Sequence, residues 1–498
     1  MPSSLLIRAD ANAKIGPGHL MSCLALAQAW MRTDGRVVFA LLETTPSLER
    51  RLQVEGVELA RHSAVCGSAD DATWTIELAR SCGATWVVAD GYAFDASWQK
   101  QIKDAGIRLL VIDDYGQADR YHADTILNQN ASVNDGLYQH REPTTRLLLG
   151  PSYALIRREF LAYRARPRDI PPVARKILVA FGDSDPDNVT GTVIEALVEL
   201  DDIEAVVVVG CSNPYLESVK RAIDASNHAI QLVVNATNMP ELMAWADVAI
   251  SAAGSTAWET ACIGLPALLI VVADNQAAVA GSLHRDGASF SLGASITLTA
   301  EKISIQLRAL LSDGARRRDM SRKARCLVDG DGAVRVVTHL LTAQLKLRRA
   351  EYHDCTLLWN WANDPVVRSM AFSSEPIPLG HHQRWFSDKM ASPLTHLFVL
   401  ENDNQIPIGQ IRFDSVGDGV FEIDVSIAID HRGCGAGMAL LDIGENALRK
   451  NVQVCSLRAL VKRHNAASLA LFRRVGYKEQ GIAFGPDAKE AVLLEKLL

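Results

Sequence analysis

What most constrains this chain is a repeated alternation. From residue 1 to about 155, short apolar runs (SLLIRAD, RVVFALL, TWVVADGY, RLLVIDDY, DTILN) alternate with amphipathic stretches. The runs are rich in Val, Ile and Leu on both faces, as strands buried in a parallel sheet must be. Between the first two lies HLMSCLALAQAWMR, where Leu20, Leu24, Ala27 and Met31 recur at helical spacing. Strand, helix, strand in that order requires crossovers, so an α/β doubly wound sheet is expected. A proline- and arginine-rich stretch, RARPRDIPPVARK, reads as a linker, and the alternation then restarts with KILVAFG, EAVVVVG, IQLVV, ADVAISAAG and PALLIVVADNQ. Two such lobes, 1–163 and 173–342, are expected to enclose a ligand in the cleft between them.

Near residue 347 the texture changes. LRRAEYHDCTLLWNWANDPVVRSMAF is helical and aromatic, and antiparallel strands follow in HLFVLEND, IPIGQIRFD and FEIDVSIAID. A third, α+β domain over 347–498 is expected. A chain of 498 residues exceeds one hydrophobic core. The net charge of −7 favours neither nucleic acid nor an anionic membrane as partner. No run approaches the roughly 18–20 apolar residues of a membrane helix, and the opening MPSSLLIRAD is too short for a secretion signal. The nine cysteines are scattered, odd in number and never spaced as CxxC, so buried reduced thiols, a cytoplasmic location and no metal are expected.

Three loops carry chemistry. In DANAKIGPGHL, Gly16 and Gly18 bracket Pro17, and His19 falls in the first turn of a helix. A helix amino end suits an anionic phosphate, and the same field keeps a histidine neutral and able to accept a proton. Arg8 and Asp10 stand at the carboxyl end of the preceding strand, where open α/β sheets place ligands. In SAAGSTAWETACIGLP, Gly254, Ser255 and Thr256 mark a strand-to-helix junction with Glu259 one turn inside. Amides and hydroxyls there can cradle a diphosphate while the carboxylate grips a ribose diol, although a plain N-capped helix also uses Ser and Thr. Asn275 and Gln276 end the next strand, and FGDSDPDN forms another polar loop. The third loop, in IAIDHRGCGAGMALL, sets Arg432, Gly433, Gly435, Ala436 and Gly437 between a strand and a helix, a backbone cradle for a pyrophosphate. Glu422, Asp424 and Ser426 share one face of their strand by period-two alternation.

Taken together, RADANAKIGPGHLMSCLALA, VVADGYAFD, LLVIDDY, ILNQN, LLGPSYALIRREF, FGDSDPDN, AGSTAWETACIGLP and ADNQ resemble the UDP-sugar hydrolase of pseudaminic acid biosynthesis, in order from residue 5 to about 335. The resemblance implies two Rossmann-like lobes of the GT-B-like glycosyltransferase kind. It also implies water attack at the anomeric carbon of UDP-2,4-diacetamido-2,4,6-trideoxy-β-L-altrose. Carried over, His19 activates or orients water, Asp10 and Tyr92 line the sugar side, and Gly254, Ser255, Thr256 and Glu259 hold UDP. Asn275 and Gln276 complete that site. The chain has Ser22 where the family carries an arginine, and Asp183 where it carries a glycine.

The third domain, with HNAASLALFRRVGYKEQG after its glycine loop, is similar to the GCN5-related N-acetyltransferases (GNAT). That implies acetyl-CoA, held by residues 432–437 with Asn465, Ser468 and Phe472, and a base at Asp424 or, second, Glu422. In many relatives a tyrosine at the position of Phe472 protonates the departing thiolate; phenylalanine cannot donate a proton, so that role passes to another group or to water. The stretch WNWANDPVVRSMAF…HHQRWF looks like the acceptor side of sugar-nucleotide N-acetyltransferases, where Arg368, His382 and Trp385 meet uracil or phosphate; a core place for Trp385 is the competing reading. Combined, the halves imply a bifunctional enzyme acting on small-molecule UDP-sugars, first acetylating a 4-amino sugar and then releasing UDP. A GT-B glycosyltransferase fused to an acetyltransferase, or a hydrolytically impaired UDP-sugar-binding scaffold beside an active acetyltransferase, remains open, as does oligomeric state.

Overall fold

A computed structural model describes residues 4–12, 16–130, 135–182, 185–210, 213–226, 228–343, 345–402, 405–432, 435–484 and 490–498. Asp183 and Gly433 lie outside the described residues. The chain separates into two compact units, Met1–Val336 and Val337–Leu498.

The first unit holds two parallel sheets. Strands β1 (Ser4–Ala9), β2 (Arg36–Leu41), β3 (Glu58–Arg61), β4 (Ala84–Asp90), β5 (Leu109–Ile112), β6 (Thr125–Asn128) and β7 (Arg146–Leu149) form the first, in the order β3-β2-β1-β4-β5-β6-β7. Strands β8 (Lys176–Ala180), β9 (Glu204–Val209), β10 (Ala229–Val234), β11 (Val248–Ala252), β12 (Ala267–Val271) and β13 (Phe290–Ala294) form the second, as β10-β9-β8-β11-β12-β13. Each order reverses beside its first strand, and doubly wound sheets bind ligands in the crevice that opens at this reversal, off the carboxyl ends. Leu5, Leu6 and Ile7 of β1 are fully enclosed, each contributing roughly 1.5–3 kcal/mol by leaving water.

The helix Arg158–Arg164 braces the lobes. Phe160 packs into the second lobe's core with Trp258 and Cys262. The same helix reaches back to the first lobe, where the Arg158 amide donates to Gln28 Oε1 at 2.8 Å and Glu159 pairs with Arg51 at 2.9 Å. The expected linker is fastened rather than free: Arg164 donates to the carbonyl of Cys262 at 2.7 Å and Arg168 to that of Met243 at 3.0 Å.

The second unit is one mixed sheet of β14 (Leu345–Arg349), β15 (Thr395–Asn402), β16 (Pro407–Gly417), β17 (Val420–Ile427), β18 (Ser456–Val461), β19 (Lys478–Phe484) and β20 (Glu490–Leu497), ordered β14-β15-β16-β17-β18-β20-β19. Its pairings are antiparallel except β17 with β18. Among the described residues no helix is long and apolar enough to cross a membrane. The described cysteines are unpaired; Cys23 and Cys262 are buried, but Cys326 and Cys455 are exposed, so burial does not extend to every thiol.

Candidate functional site

In the first unit, two helix amino ends face each other. The helix Gly18–Met31 follows β1 and the helix Ser255–Ile263 follows β11; neither has a side-chain cap or an acidic residue in its first turn. Gly254, not Ser255 or Thr256, is the N-cap residue of the second, so the capped-helix reading of that Ser-Thr pair does not hold. A Cβ at Gly18 would lie 3.9 Å from Ser255 Oγ, and one at Gly254 would lie 3.7 Å from Gln276 Nε2. Two partial positive charges and two sets of amides thus converge from opposite lobes, a setting for a diphosphate. Gly16 adopts φ +74, which favours glycine.

Beside this junction His19 Nδ1 lies 2.6 Å from Asp90 Oδ1 at the end of β4, and the Cys23 thiol, one turn along the helix, donates to Asp90 Oδ2 at 3.4 Å. Burial favours the neutral ring, yet Asp90, with Asp114 beyond it, outweighs burial and lifts His19 to about 9. This corrects the expectation of a neutral, proton-accepting histidine. The Tyr92 ring stands edge-on to His19 at 5.0 Å. Its hydroxyl donates to Asp114 Oδ2 at 3.0 Å and accepts from Asn275 Nδ2 of the other lobe at 2.8 Å. Gln276 accepts the Val272 amide through Oε1 at 3.1 Å.

Arg8 and Asp10 require correction as ligand-binding groups. Arg8 is 0% exposed, pairing with both oxygens of Asp71 at 2.8 and 3.1 Å and with Asp10 at 2.7 Å. Asp10 Oδ1 accepts the amides of Leu42 and Glu43 at 2.7 and 3.0 Å. Burial pushes the Asp10 carboxyl up, but Arg8 and these amides outweigh it and hold it below the usual range. Both side chains fasten the lobe interior. Glu259 is buried, with Oε1 held by Arg157 at 2.7 and 3.3 Å, so at most one of its oxygens is available to a ribose. Ser22 is buried within its helix. Sequence reasoning missed Asp90, Asp114 and Arg157; for the two acids, carboxylates at the carboxyl ends of β4, beside the reversal point, and of its neighbour β5 were the available signal.

In the second unit β17 pairs with β18 only over Val420–Glu422, against Ser456–Arg458. Beyond Glu422 the two strands part, and this wedge adjoins a cavity of about 440 Å³. Its lining brings together Arg368, His382, Trp385, Asp424 and Ser426; Glu422 is exposed and not part of it. Asp424 Oδ2 accepts from Gln410 Nε2 at 3.1 Å and lies 3.4 Å from Arg412 Nη1. Burial lowers the Arg412 guanidinium, but Asp424 and Asp414 outweigh it; the group also lies over the Trp385 ring at 5.1 Å. His382 is 3% exposed, burial lowers its imidazole below the usual value, and its Nε2, like Arg368 Nε and Ser426 Oγ, is buried without a partner among the described residues. Trp385 therefore lines the cavity while also touching the small core of Phe386 and Leu358.

Of the glycine loop, Arg432, Gly435, Ala436 and Gly437 are among the described residues. Gly435 is a left-handed N-cap at φ +81, opening the helix Ala436–Arg449. Arg432 is spent on Asp364 at 3.0 Å and the Ile427 carbonyl at 2.9 Å, so its side chain shapes the loop. A Cβ at Gly437 would approach Leu471 Cδ2 at 3.1 Å, which makes helix packing its first constraint. Asn465 caps the helix Ala466–Arg474 by accepting the Ser468 amide at 3.1 Å. Phe472 is buried in the core with Tyr477 and Leu457, so packing is its first constraint. Tyr477 cannot take over as proton donor, because its hydroxyl is buried and donates to Glu445 Oε1 at 2.8 Å.

Residues 177–335 match the glycosyltransferase family 28 C-terminal domain, and residues 344–478 match the acetyltransferase (GNAT) domain. An uncharacterized protein of Methanocaldococcus jannaschii is 21% identical over 95% of this chain and 96% of its own. The spore coat polysaccharide biosynthesis protein SpsG of Bacillus subtilis is 28% identical over 48% of this chain and 71% of its own. YwnH of Bacillus subtilis, which bears the name of a phosphinothricin acetyltransferase, is 32% identical over 28% of this chain and 86% of its own. The architecture is thus a GT-B-like α/β unit fused to an acetyltransferase domain. Through residues 344–478 the chain belongs to the GNAT acetyltransferase family.

Proposed function

We propose that the chain is a bifunctional enzyme of UDP-amino-sugar metabolism. Its second unit transfers acetyl from acetyl-CoA to the 4-amino group of a UDP-4-amino sugar. Its first unit hydrolyses the bond between the acetylated sugar and UDP, the sugar being the 2,4-diacetamido-2,4,6-trideoxy-β-L-altrose of pseudaminic acid biosynthesis. The observation that carries the reading is the pair of uncapped helix amino ends meeting beside the charged His19–Asp90 pair. A diphosphate fits that convergence, and breakage of its bond to the sugar is helped by any cation placed there.

In the second unit the free edge of β17 beyond Glu422 suits the pantetheine of acetyl-CoA, and the loop ending at Gly435 suits its pyrophosphate. The cavity supplies Asp424 to take the proton from the attacking amine, directly or through water, as the nitrogen bonds to the thioester carbonyl and the thiolate leaves. Arg368 and Trp385 suit the acceptor's phosphate and base. The match of residues 177–335 to a glycosyltransferase domain favours a second reading, transfer of the sugar to an acceptor hydroxyl instead of water. Mass spectrometry of the UDP-4-amino sugar incubated with and without acetyl-CoA tests the proposal. Acetylated sugar and free UDP are expected with acetyl-CoA present; UDP release only after an acceptor is added would select transfer.

A further inference from the structure

We propose that Asp114 takes the proton from the nucleophile as the sugar–UDP bond breaks, while His19 serves as a cation facing the departing diphosphate. The proposal rests on the sugar-nucleotide reading of the cleft, and it holds whether the nucleophile is water or an acceptor hydroxyl.

Three carboxylates stand at the carboxyl ends of β4 and β5, and the fold consumes two. Asp113 accepts the amides of Tyr115, Gly116 and Gln117 at 2.8, 2.6 and 3.1 Å, along with the hydroxyls of Tyr121 and Tyr138. Asp90 is taken by His19 and the Cys23 thiol. Asp114 is partly exposed, and its described side-chain partner is the hydroxyl of Tyr92. That hydroxyl is itself tied to Asn275 across the cleft, which sets Asp114 on the wall where the lobes meet, one ring away from His19.

The charged neighbours of both groups divide the labour. His19 Nδ1 lies 2.6 Å from Asp90, and against burial Asp90 with Asp114 raises the ring to about 9, so the protonated form is favoured at neutral pH. Asp114 faces Asp90, Asp113, His19 and Tyr92; burial and the like charge of Asp90 raise its proton affinity above that of an ordinary aspartate, against the pull of His19 and Tyr92. A carboxylate shifted in this direction is the better proton acceptor near neutrality. In the step, the nucleophile's oxygen bonds to the anomeric carbon and its proton passes to the Asp114 carboxylate. The bond from that carbon to the phosphate oxygen breaks with its electron pair on the phosphate. UDP leaves as an anion opposite the imidazolium of His19, which retains its proton.

The test is the pH profile of kcat/KM for UDP release from the acetylated UDP-sugar by the full chain, with Asp114→Asn, Tyr92→Phe and His19→Ala. The wild type is expected to lose rate at low pH, as Asp114 protonates, and again above about pH 9, as His19 loses its charge. Asp114→Asn should lower kcat by at least about 100-fold and abolish the acid limb, with UDP affinity by calorimetry kept within about threefold. Tyr92→Phe removes the hydroxyl contact alone and should keep the acid limb; if it reproduces the Asp114→Asn profile, Asp114 merely positions Tyr92 and the proposal fails. A wild-type rate that rises through pH 9, or ¹⁵N-histidine NMR showing His19 titrating below 7, overturns the proposal without any variant. A wild type that binds UDP but releases none from the acetylated UDP-sugar, with or without an acceptor, overturns the reading of the first unit as a UDP-sugar-cleaving enzyme, on which the proposal rests.

Discussion

Replacing Arg8 by methionine separates a structural role from a ligand-binding one. The guanidinium is fully enclosed and makes its bonds to Asp71 and Asp10 at 2.7–3.1 Å. Asp71 is equally enclosed and also holds the Gly67 amide at 2.8 Å. Methionine fills most of the volume but leaves two carboxylates facing each other in the lobe interior. Removing one partner of a buried charge cluster costs about 3–5 kcal/mol, and at about 2–4 °C per kcal/mol the melting temperature of the first unit should fall by roughly 10 °C. The sign of the pH dependence follows from the carboxylates. With Arg8 present, Asp10 is held below its usual range, so its contribution is present at neutral pH and is lost on acidification. Without Arg8, burial is no longer outweighed at Asp10, its folded carboxyl binds a proton more tightly than the unfolded one, and the deficit shrinks as pH falls from 8 to 5. Differential scanning calorimetry across that range reads both effects, while titration calorimetry with UDP reads binding. UDP affinity should stay within about threefold at a temperature where the variant is folded. An unchanged melting temperature with a hundredfold loss of UDP affinity would show that Arg8 meets phosphate and would refute the structural assignment.

Asp424→Asn should reduce acetyl transfer to the amino sugar by about 10²–10⁴-fold in kcat, followed as release of free CoA thiol, while acetyl-CoA binding is retained. Arg368→Ala should raise KM for the UDP-amino sugar by about 10–100-fold and leave KM for acetyl-CoA unchanged, since the loss is one charge-assisted contact to the acceptor. Tyr477→Phe should alter kcat by less than about threefold and destabilise by about 1 kcal/mol, because its hydroxyl serves Glu445 and not the thiolate; a hundredfold loss would make it the proton donor.

The strands that could be read from sequence were those with apolar residues on both faces. SLLIRAD, RVVFALL, TWVVADGY, RLLVIDDY and DTILN became β1, β2, β4, β5 and β6, and five runs of the second lobe became β8 to β12. The ones missed are short and lie outside the fully buried centre: β3 and β7 end the first sheet, β13 ends the second, and each has polar or half-exposed positions. Such a strand is fixed by the edge it adds to, which its own residues do not encode. In the second unit β14 and β19 are also edges, and the parting of β17 from β18 is a register event that no residue type announces.

The site divides on a different physical line. Features local in sequence came through: glycines at strand-to-helix junctions, the polar face of β17, and the aromatic wall around Arg368 and Trp385. Charge states did not, because distant partners decide them. A helix amino end disfavours a protonated histidine by about 0.3–1 kcal/mol. Burial opposes the charge too, but Asp90, 71 residues away along the chain, adds a charge-assisted hydrogen bond worth about 1.5–3 kcal/mol and, with Asp114, raises His19 against both. Arg8 follows the same logic: in a strand buried on both faces a cation must find an anion, and Asp71 lies 63 residues away. A polar residue inside a two-sided apolar strand is therefore better read first as half of a buried pair. Standing just past a strand's carboxyl end is not enough, since Asp10 and Asp113 stand there and are taken by backbone amides; Asp114 is the better candidate for chemistry because its described side-chain partner is a single tyrosine hydroxyl on the cleft wall.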